Sequence, residues 1–229
     1  MIIWLKKERK KKRRLKLKRV LLFIIILLLI GYLVFLILNH NISNIFVKGN
    51  NYLVEQEILE YAGLDNYPRL IECSNYKISK KLKNNKLIKS VKVYKRKLFN
   101  IYIVIEENRP LYYDAVESKT ILLDDTKVNQ TFEVPTLINY IPDTKMEKFK
   151  KKIKELDKDM LIRISDIEYK PNEVDKNRLL LTMNDGNYVY ITINKLPNIN
   201  KYVNIVKEFN NKKGILYLDS GEYFKIMED

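Results

Sequence analysis

One apolar stretch constrains this chain more than any other feature of its sequence. Residues 20–38 read VLLFIIILLLIGYLVFLIL and contain no charged side chain. At roughly 1.5 Å of helical rise per residue, nineteen positions cover about 28 Å, which matches the hydrocarbon core of a bilayer. We therefore predict one transmembrane helix at 20–38.

The charges on either side of this stretch predict its direction. Eleven of the 43 Lys and Arg lie before residue 20, whereas residues 39–47 contain none. Under the positive-inside rule, residues 1–19 form a cytoplasmic basic segment, and the rest of this single-pass plasma-membrane protein lies outside the cytoplasm. The residues assigned to this topology role are Lys10, Lys11, Lys12, Arg13, Arg14, Lys16, Lys18 and Arg19.

Two alternatives for the N-terminal segment are disfavoured. A cleaved signal peptide needs small residues at the cut, and Tyr32 to Asn44 offers no such site. A basic run could bind nucleic acid, but directly beside a membrane helix it more often contacts anionic lipids. We predict the lipid role and no nucleic acid.

The side-chain inventory limits the chemistry that the chain could perform. His40 is the only histidine and Cys73 the only cysteine, which excludes an internal disulfide, a His-based triad and a His- or Cys-rich metal site. We predict no catalytic, metal-binding or cofactor-binding residue and no small-molecule substrate. Carboxylate chemistry stays open as an alternative through three acidic pairs, Asp124-Asp125, Glu106-Glu107 and Asp157-Asp159.

Periodicity predicts an α+β chain with two domains after the membrane helix. In residues 42–111, a short strand, two amphipathic helices ended by Gly63 and by Asn84-Asn85, and a hairpin follow in the order β-α-α-β-β. Residues 112–229 predict a mostly antiparallel β-domain with helices. Asp143 starts one of these helices, and Asn184-Asp185-Gly186 forms a hairpin turn.

Several segments together resemble the bacterial cell-division family FtsQ/DivIB. They are IFVKGN at 45–50, EQEILEYAGL at 55–64, ISKKLKNNKLIKSVKVYKRKL at 78–98, IYIVIEENRP at 101–110, ILLDDTKV at 121–128 and GILYLDSGEYFKI at 214–226. Val54, Lys86-Leu87 and Phe99 depart from the family pattern, at a helix cap, a Pro-Trp pair and a turn proline. The order of the segments is nevertheless that of the family.

The resemblance implies a POTRA domain at 42–111, an FtsQ/DivIB-type β-domain at 112–229, and a non-catalytic role at the division septum. It also implies that FtsB/DivIC-type and FtsL-type single-pass proteins are the partners and that no cofactor is needed. The candidate partner-binding residues are Tyr217, Glu222, Tyr223, Phe224 and Ile226. From the residues alone, Glu222 to Ile226 could equally be a sheet edge that accepts a partner strand or an ordinary terminal strand.

Two functions from other classes remain as alternatives. A membrane-anchored cell-wall enzyme could use paired carboxylates, and a POTRA protein could serve secretion. The second is disfavoured because no β-barrel pattern follows the POTRA-like segment.

Overall fold

A computed structural model describes residues 2–210 and 212–227, with side chains from residue 17 onward. The first helix, α1, spans Ile2–Leu38. Its part from Leu17 to Leu38 has a mean hydropathy of 3.4, is not buried by the rest of the chain, and at about 33 Å is long enough to cross a membrane. The predicted span 20–38 lies inside it. Lys18 and Arg19 are exposed, and the side chains of the other six topology residues lie outside the described residues.

The chain then divides into two compact units, one ending at Glu107 and one starting at Asn108. The first unit continues from α1 with β1 (Asn44–Lys48), α2 (Glu55–Ala62), α3 (Asn75–Lys83), β2 (Ile88–Arg96) and β3 (Asn100–Glu107). Its three-stranded sheet has the order β1-β3-β2, with β1 parallel and β2 antiparallel to β3. The predicted β-α-α-β-β order is confirmed.

The alternation of buried and more exposed side chains along β3 gives this unit its hydrophobic core. Ile101, Ile103 and Ile105 are buried on one face, where Ile58 of α2 and Leu82 of α3 are also fully buried. The predicted helix stop at Gly63 is confirmed, since Gly63 adopts a left-handed conformation (φ 70°) after α2.

Within the described residues, the second unit contains nine strands and three α-helices. They are β4 (Pro110–Asp114), β5 (Lys119–Leu122), β6 (Lys127–Val128), β7 (Thr136–Leu137), α4 (Asp143–Ile153), α5 (Lys158–Arg163), β8 (Ile164–Tyr169), β9 (Arg178–Met183), β10 (Tyr188–Thr192), α6 (Tyr202–Glu208), β11 (Gly214–Tyr217) and β12 (Tyr223–Ile226), with a 3₁₀ helix at Ile193–Lys201. Pro110 and Leu111, predicted to close the POTRA segment, thus begin the first strand of this unit, and Leu111 joins its core.

All nine strands form one sheet in the order β12-β11-β10-β9-β8-β7-β4-β5-β6. Five neighbouring pairs are antiparallel, and three (β4 with β7, β7 with β8, and β10 with β11) are parallel. The sheet is therefore mixed, because connections through α4 and α5 and through the 3₁₀ helix and α6 return the chain in the same direction. The predicted hairpin at Asn184-Asp185-Gly186 joins β9 to β10, with Gly186 at φ 87°.

Candidate functional edge strand

The strand β12 ends the sheet of the second unit. It pairs with β11 along one side, from Gly214 opposite Ile226 to Tyr217 opposite Tyr223. Among residues 2–210 and 212–227, no strand pairs with its other side. Such an edge presents backbone N–H and C=O groups to which another chain can hydrogen bond.

Hydrogen bonding to β11 determines which backbone groups of β12 face outward. The Met227 N–H donates to the Lys213 carbonyl over 3.0 Å. Hydrogen-bonded pairs alternate along an antiparallel ladder, so Lys225 and Tyr223 also direct their N–H groups toward β11. It follows that Ile226 directs its N–H and C=O groups outward, as does the residue two positions before it.

A row of stacked tyrosine side chains runs across the last three strands of the sheet, β10, β11 and β12, and ends at this edge. The Tyr190 and Tyr217 rings stack with centroids 5.3 Å apart, and the Tyr217 and Tyr223 rings stack at 4.6 Å. The row is continuous because Tyr217 lies opposite Tyr190 on one side and Tyr223 on the other. Tyr223 is 51% exposed and forms the outer end of the row.

An ion pair closes the inner end of the aromatic row. The Arg178 guanidinium lies 3.6 Å from the centroid of the Tyr190 ring, and its Nε donates to Oδ2 of Asp219 over 2.7 Å. Both charged side chains are largely buried. Arg178 is thereby held over the Tyr190 ring, which stabilises the row through a cation–π contact.

The opposite face of β12 packs inward. The Phe224 ring stacks on Phe209, with centroids 4.8 Å apart, and contacts the hydrophobic core. It also covers Gly214, where an added Cβ would lie 2.6 Å from the ring. The candidate residues therefore separate into two groups: Tyr217 and Tyr223 share one face, whereas Phe224 anchors the strand. Glu222 and Ile226 are exposed.

A buried polar network fixes the start of β11. The Gly214 N–H donates to Oδ1 of Asn187, whose Nδ2 donates to the Tyr202 hydroxyl, each over 2.7 Å. That hydroxyl in turn donates to Asp185. Burial, and then the bond to Asp185, raises the pKa of Tyr202, so the hydroxyl remains a donor at neutral pH. The network thus fixes the position of β11, the strand with which β12 pairs.

Sequence reasoning named β12 only as a candidate edge, and it missed most of the residues that support this strand. Arg178, Asn187, Tyr190 and Asp219 received no role from the sequence. Only Tyr190 had a usable signal, because Tyr188 and Tyr190 alternate with apolar residues just after a strong turn. The other three act through partners that lie 15 to 41 residues away in the sequence.

The Asp219–Arg178 pair predicts a loss of stability in acid. Burial alone would raise the pKa of Asp219, but hydrogen bonds from Arg178 and the Ser220 N–H outweigh it and hold the pKa below its ordinary 3.8. A depressed folded-state pKa gives stability that is present above the unfolded-state value and lost as pH falls through the folded-state value. Urea unfolding at pH 6, 4 and 3 should show a steeper acid loss for the native chain than for Asp219→Asn. Equal losses would contradict this role.

Most of the carboxylates that could have formed a catalytic pair are bonded to other groups in the structure. A cavity of about 510 Å³ in the second unit gathers Asp114, Glu117, Asp125, Asp143 and Glu147. Asp114 accepts two N–H groups of its own turn, and lysines ion-pair with Glu117, Asp125 and Glu147. Of the three acidic pairs that kept carboxylate chemistry open, two have such partners: Glu106 bonds Lys89, Glu107 caps a turn, and Asp124 accepts the Thr126 N–H. The third pair, Asp157 and Asp159, lines a separate open cavity together with Arg163.

Two further observations concern nucleophiles and metals. Cys73 is buried, and burial raises the pKa of its thiol, which keeps it protonated and weakly nucleophilic. Within the described side chains, no three His, Cys, Asp or Glu residues are grouped so that they could hold a metal ion.

Comparison with known proteins identifies the family. A model of the POTRA domain, FtsQ-type, matches residues 40–108. Cell division protein DivIB of Listeria monocytogenes is 33% identical over 203 residues, covering 84% of this chain and 75% of that protein. DivIB of Bacillus subtilis is 30% identical over 195 residues, covering 80% and 73%.

A solved structure gives a further match. The major extracytoplasmic domain of the trans isomer of DivIB from Geobacillus stearothermophilus aligns with 46% of this chain and 97% of that chain, at 21% identity and a TM-score of 0.37. With its apolar helix α1, its first unit matched by the FtsQ-type POTRA model and its curated relatives, the chain is a membrane-anchored cell division protein that belongs to the FtsQ/DivIB family.

Proposed function

We propose that this chain is a non-catalytic scaffold of the division complex at the septum. Its N-terminus lies in the cytoplasm and its two folded units lie outside, where the POTRA domain helps to position it. The second unit binds FtsB/DivIC-type and FtsL-type single-pass partners. The observation that carries the proposal is the unpaired β12 edge with the aromatic row ending at Tyr223.

The mode of binding that fits this edge is strand addition. A partner strand would hydrogen bond to the outward N–H and C=O groups of β12, and its side chains would contact Tyr223 on one face of the sheet. Of the three other sheet edges among the described residues, which are β1, β2 and β6, the last two suit this role less well. The strand β6 has only two residues, and β2 carries Lys89, Lys92 and Lys95, which discourage strand pairing.

A proline substitution tests strand addition directly. Ile226→Pro removes an N–H that faces away from β11, so it should leave the β11–β12 ladder in place and remove one bond to the partner strand. Ile226→Ala is the matched control, because it removes the same exposed side chain and retains the N–H. We expect full-length Ile226→Pro to lose co-purification with a DivIC-type partner from membranes and Ile226→Ala to retain most of it.

Two results would contradict the proposal. Equal partner recovery with both variants would show that the backbone of β12 does not contribute. Hydrolysis of peptidoglycan by the purified chain would favour the cell-wall enzyme instead. Circular dichroism of both variants checks that any loss of partner does not come from unfolding.

A further inference from the structure

The segment that leaves the membrane helix is bonded to a loop of the POTRA domain. The Leu38 carbonyl, at the last residue of α1, accepts the Ile71 N–H over 2.9 Å, and the His40 carbonyl accepts the Leu70 N–H over 2.9 Å. Arg69 also donates to the Asn39 side chain over 3.0 Å. The POTRA loop is therefore attached to the end of α1 by backbone bonds, which limits movement of the domain relative to the helix.

The turn between β2 and β3 lies at the same end of the POTRA sheet. The Ser43 N–H donates to the Phe99 carbonyl over 2.9 Å, and the Phe99 and His40 rings lie 4.2 Å apart. The register agrees, since Asn44 at the start of β1 pairs with Asn100 at the start of β3. The β2–β3 turn thus lies beside the residues that follow the membrane helix.

Two large apolar side chains are exposed at this end. Leu98, in the β2–β3 turn, is 62% exposed, and Ile71 is 63% exposed although its N–H bonds to the last residue of α1. Lys97 and Leu98 both adopt left-handed backbone conformations (φ 50° and 58°), which L-residues with side chains seldom adopt. The tight turn therefore presents a large apolar residue at its tip beside a basic one.

The chemistry of this end matches the boundary of a bilayer. Apolar side chains gain free energy by leaving water for the acyl boundary, while neighbouring cations contact lipid phosphates. Arg96 and Lys97 are exposed beside Leu98 and supply such cations. Ile71 is bonded to Leu38, where the apolar helix ends, so in a bilayer that α1 spans it would lie at the edge of the hydrocarbon core.

We propose that the POTRA domain carries a lipid-contacting end, formed by Ile71 and by the turn Arg96–Leu98. Its ligand is phospholipid of the bilayer that α1 spans. Leu98 and Ile71 contact the acyl boundary, and Arg96 and Lys97 contact lipid phosphates. The contact fixes the orientation of the domain over the membrane. It requires that α1 crosses the membrane, but it depends neither on partner binding at β12 nor on which side the N-terminus lies.

A fluorescent probe at the turn tests this contact in the full chain. In a Cys73→Ala background, Leu98→Cys is labelled with the environment-sensitive dye NBD and placed in nanodiscs of phosphatidylcholine and phosphatidylglycerol. The matched control is Val54→Cys, because Val54 is 63% exposed in the same domain. Val54 directly follows a residue whose N–H donates to Glu107, the last residue of β3. The turn lies near Asn100, the first residue of β3, and the two ends of this strand are seven residues, or about 23 Å, apart.

The two sites should behave differently. At position 98 the NBD emission should shift to shorter wavelength in nanodiscs and be quenched by nitroxide-labelled phospholipid, whereas at position 54 neither should occur. A weaker shift in nanodiscs without phosphatidylglycerol would support contacts of the two cations with anionic headgroups. Emission and quenching at position 98 equal to those at position 54 would overturn the proposal, whatever the outcome of the partner-binding experiment.

Discussion

Gly49→Ala is expected to disrupt the POTRA domain more than any other single methyl addition to its backbone. A Cβ at position 49 would lie 2.1 Å from the backbone oxygen of Ile105, in the buried central strand. Gly49 also adopts a φ of 88°, which is strained for alanine. Steric overlap and backbone strain together should cost roughly 2–5 kcal/mol of local stability. Hydrogen exchange of the full chain in micelles, read on peptides from β1 and β3, measures this loss.

Gly186→Ala separates the two causes. Gly186 has nearly the same φ, 87°, but its added Cβ would meet only the flexible side chain of Lys213, at 3.5 Å or more. Its cost should therefore be the backbone strain alone, about 1–2 kcal/mol, in peptides of β9 and β10. Equal losses in the two variants would show that close approach of the strands at Gly49 does not matter.

Glu107→Ala is expected to have the second largest effect. The Glu107 carboxylate accepts the backbone N–H groups of Asn51, Tyr52 and Leu53 over 2.6, 2.8 and 2.9 Å, and so holds the turn between β1 and α2 against the end of β3. Removing the acceptor leaves three donors without this partner. Hydrogen bonds to charged groups are individually strong, so the loss should be roughly 3 kcal/mol or more. Thermal unfolding of the full chain and hydrogen exchange in residues 49–54 both report it.

The neighbouring carboxylate provides a matched control. Glu106 ion-pairs with Lys89 over 2.6 Å, and both side chains are 55% exposed. Exposed pairs contribute little, so Glu106→Ala should leave the exchange of residues 49–54 unchanged. If Glu106→Ala and Glu107→Ala destabilise the domain equally, the capping role of Glu107 is wrong. The three bonds to its carboxylate also give a structural role to Glu107, the acidic residue in the EENRP segment through which the chain resembles its family.

The elements that sequence reasoning predicted well are those with local signals. The nineteen-residue apolar run, the stop at Gly63 and the turn before Asn187 each depend on neighbouring residues only, and each lies where it was predicted. The sheet of the second unit was harder to predict. Two of its parallel pairs join strands that are separated in the sequence by helices, and no local sequence pattern predicts which strands pair.

The candidate site shows the same division. The sequence predicted a strand at Glu222 to Ile226 and left open whether it lies at the end of a sheet. Nor did it predict that Phe224 is anchored on Phe209 while Tyr223 continues a row of tyrosines. A strand becomes an edge only through the absence of a neighbour, which depends on the topology of the whole unit.

Local sequence patterns were sufficient to predict the membrane helix, the β-α-α-β-β order of the first unit and several strands of the second, because hydrophobic runs and periods act over a few residues. They did not predict β4, which begins at Pro110. Tertiary structure alone decided which end of the POTRA sheet adjoins the helix, which carboxylate caps the β1–α2 turn and which backbone groups of β12 face outward. Those outcomes depend on hydrogen bonds between residues as much as 56 positions apart, and only the folded chain brings such residues together.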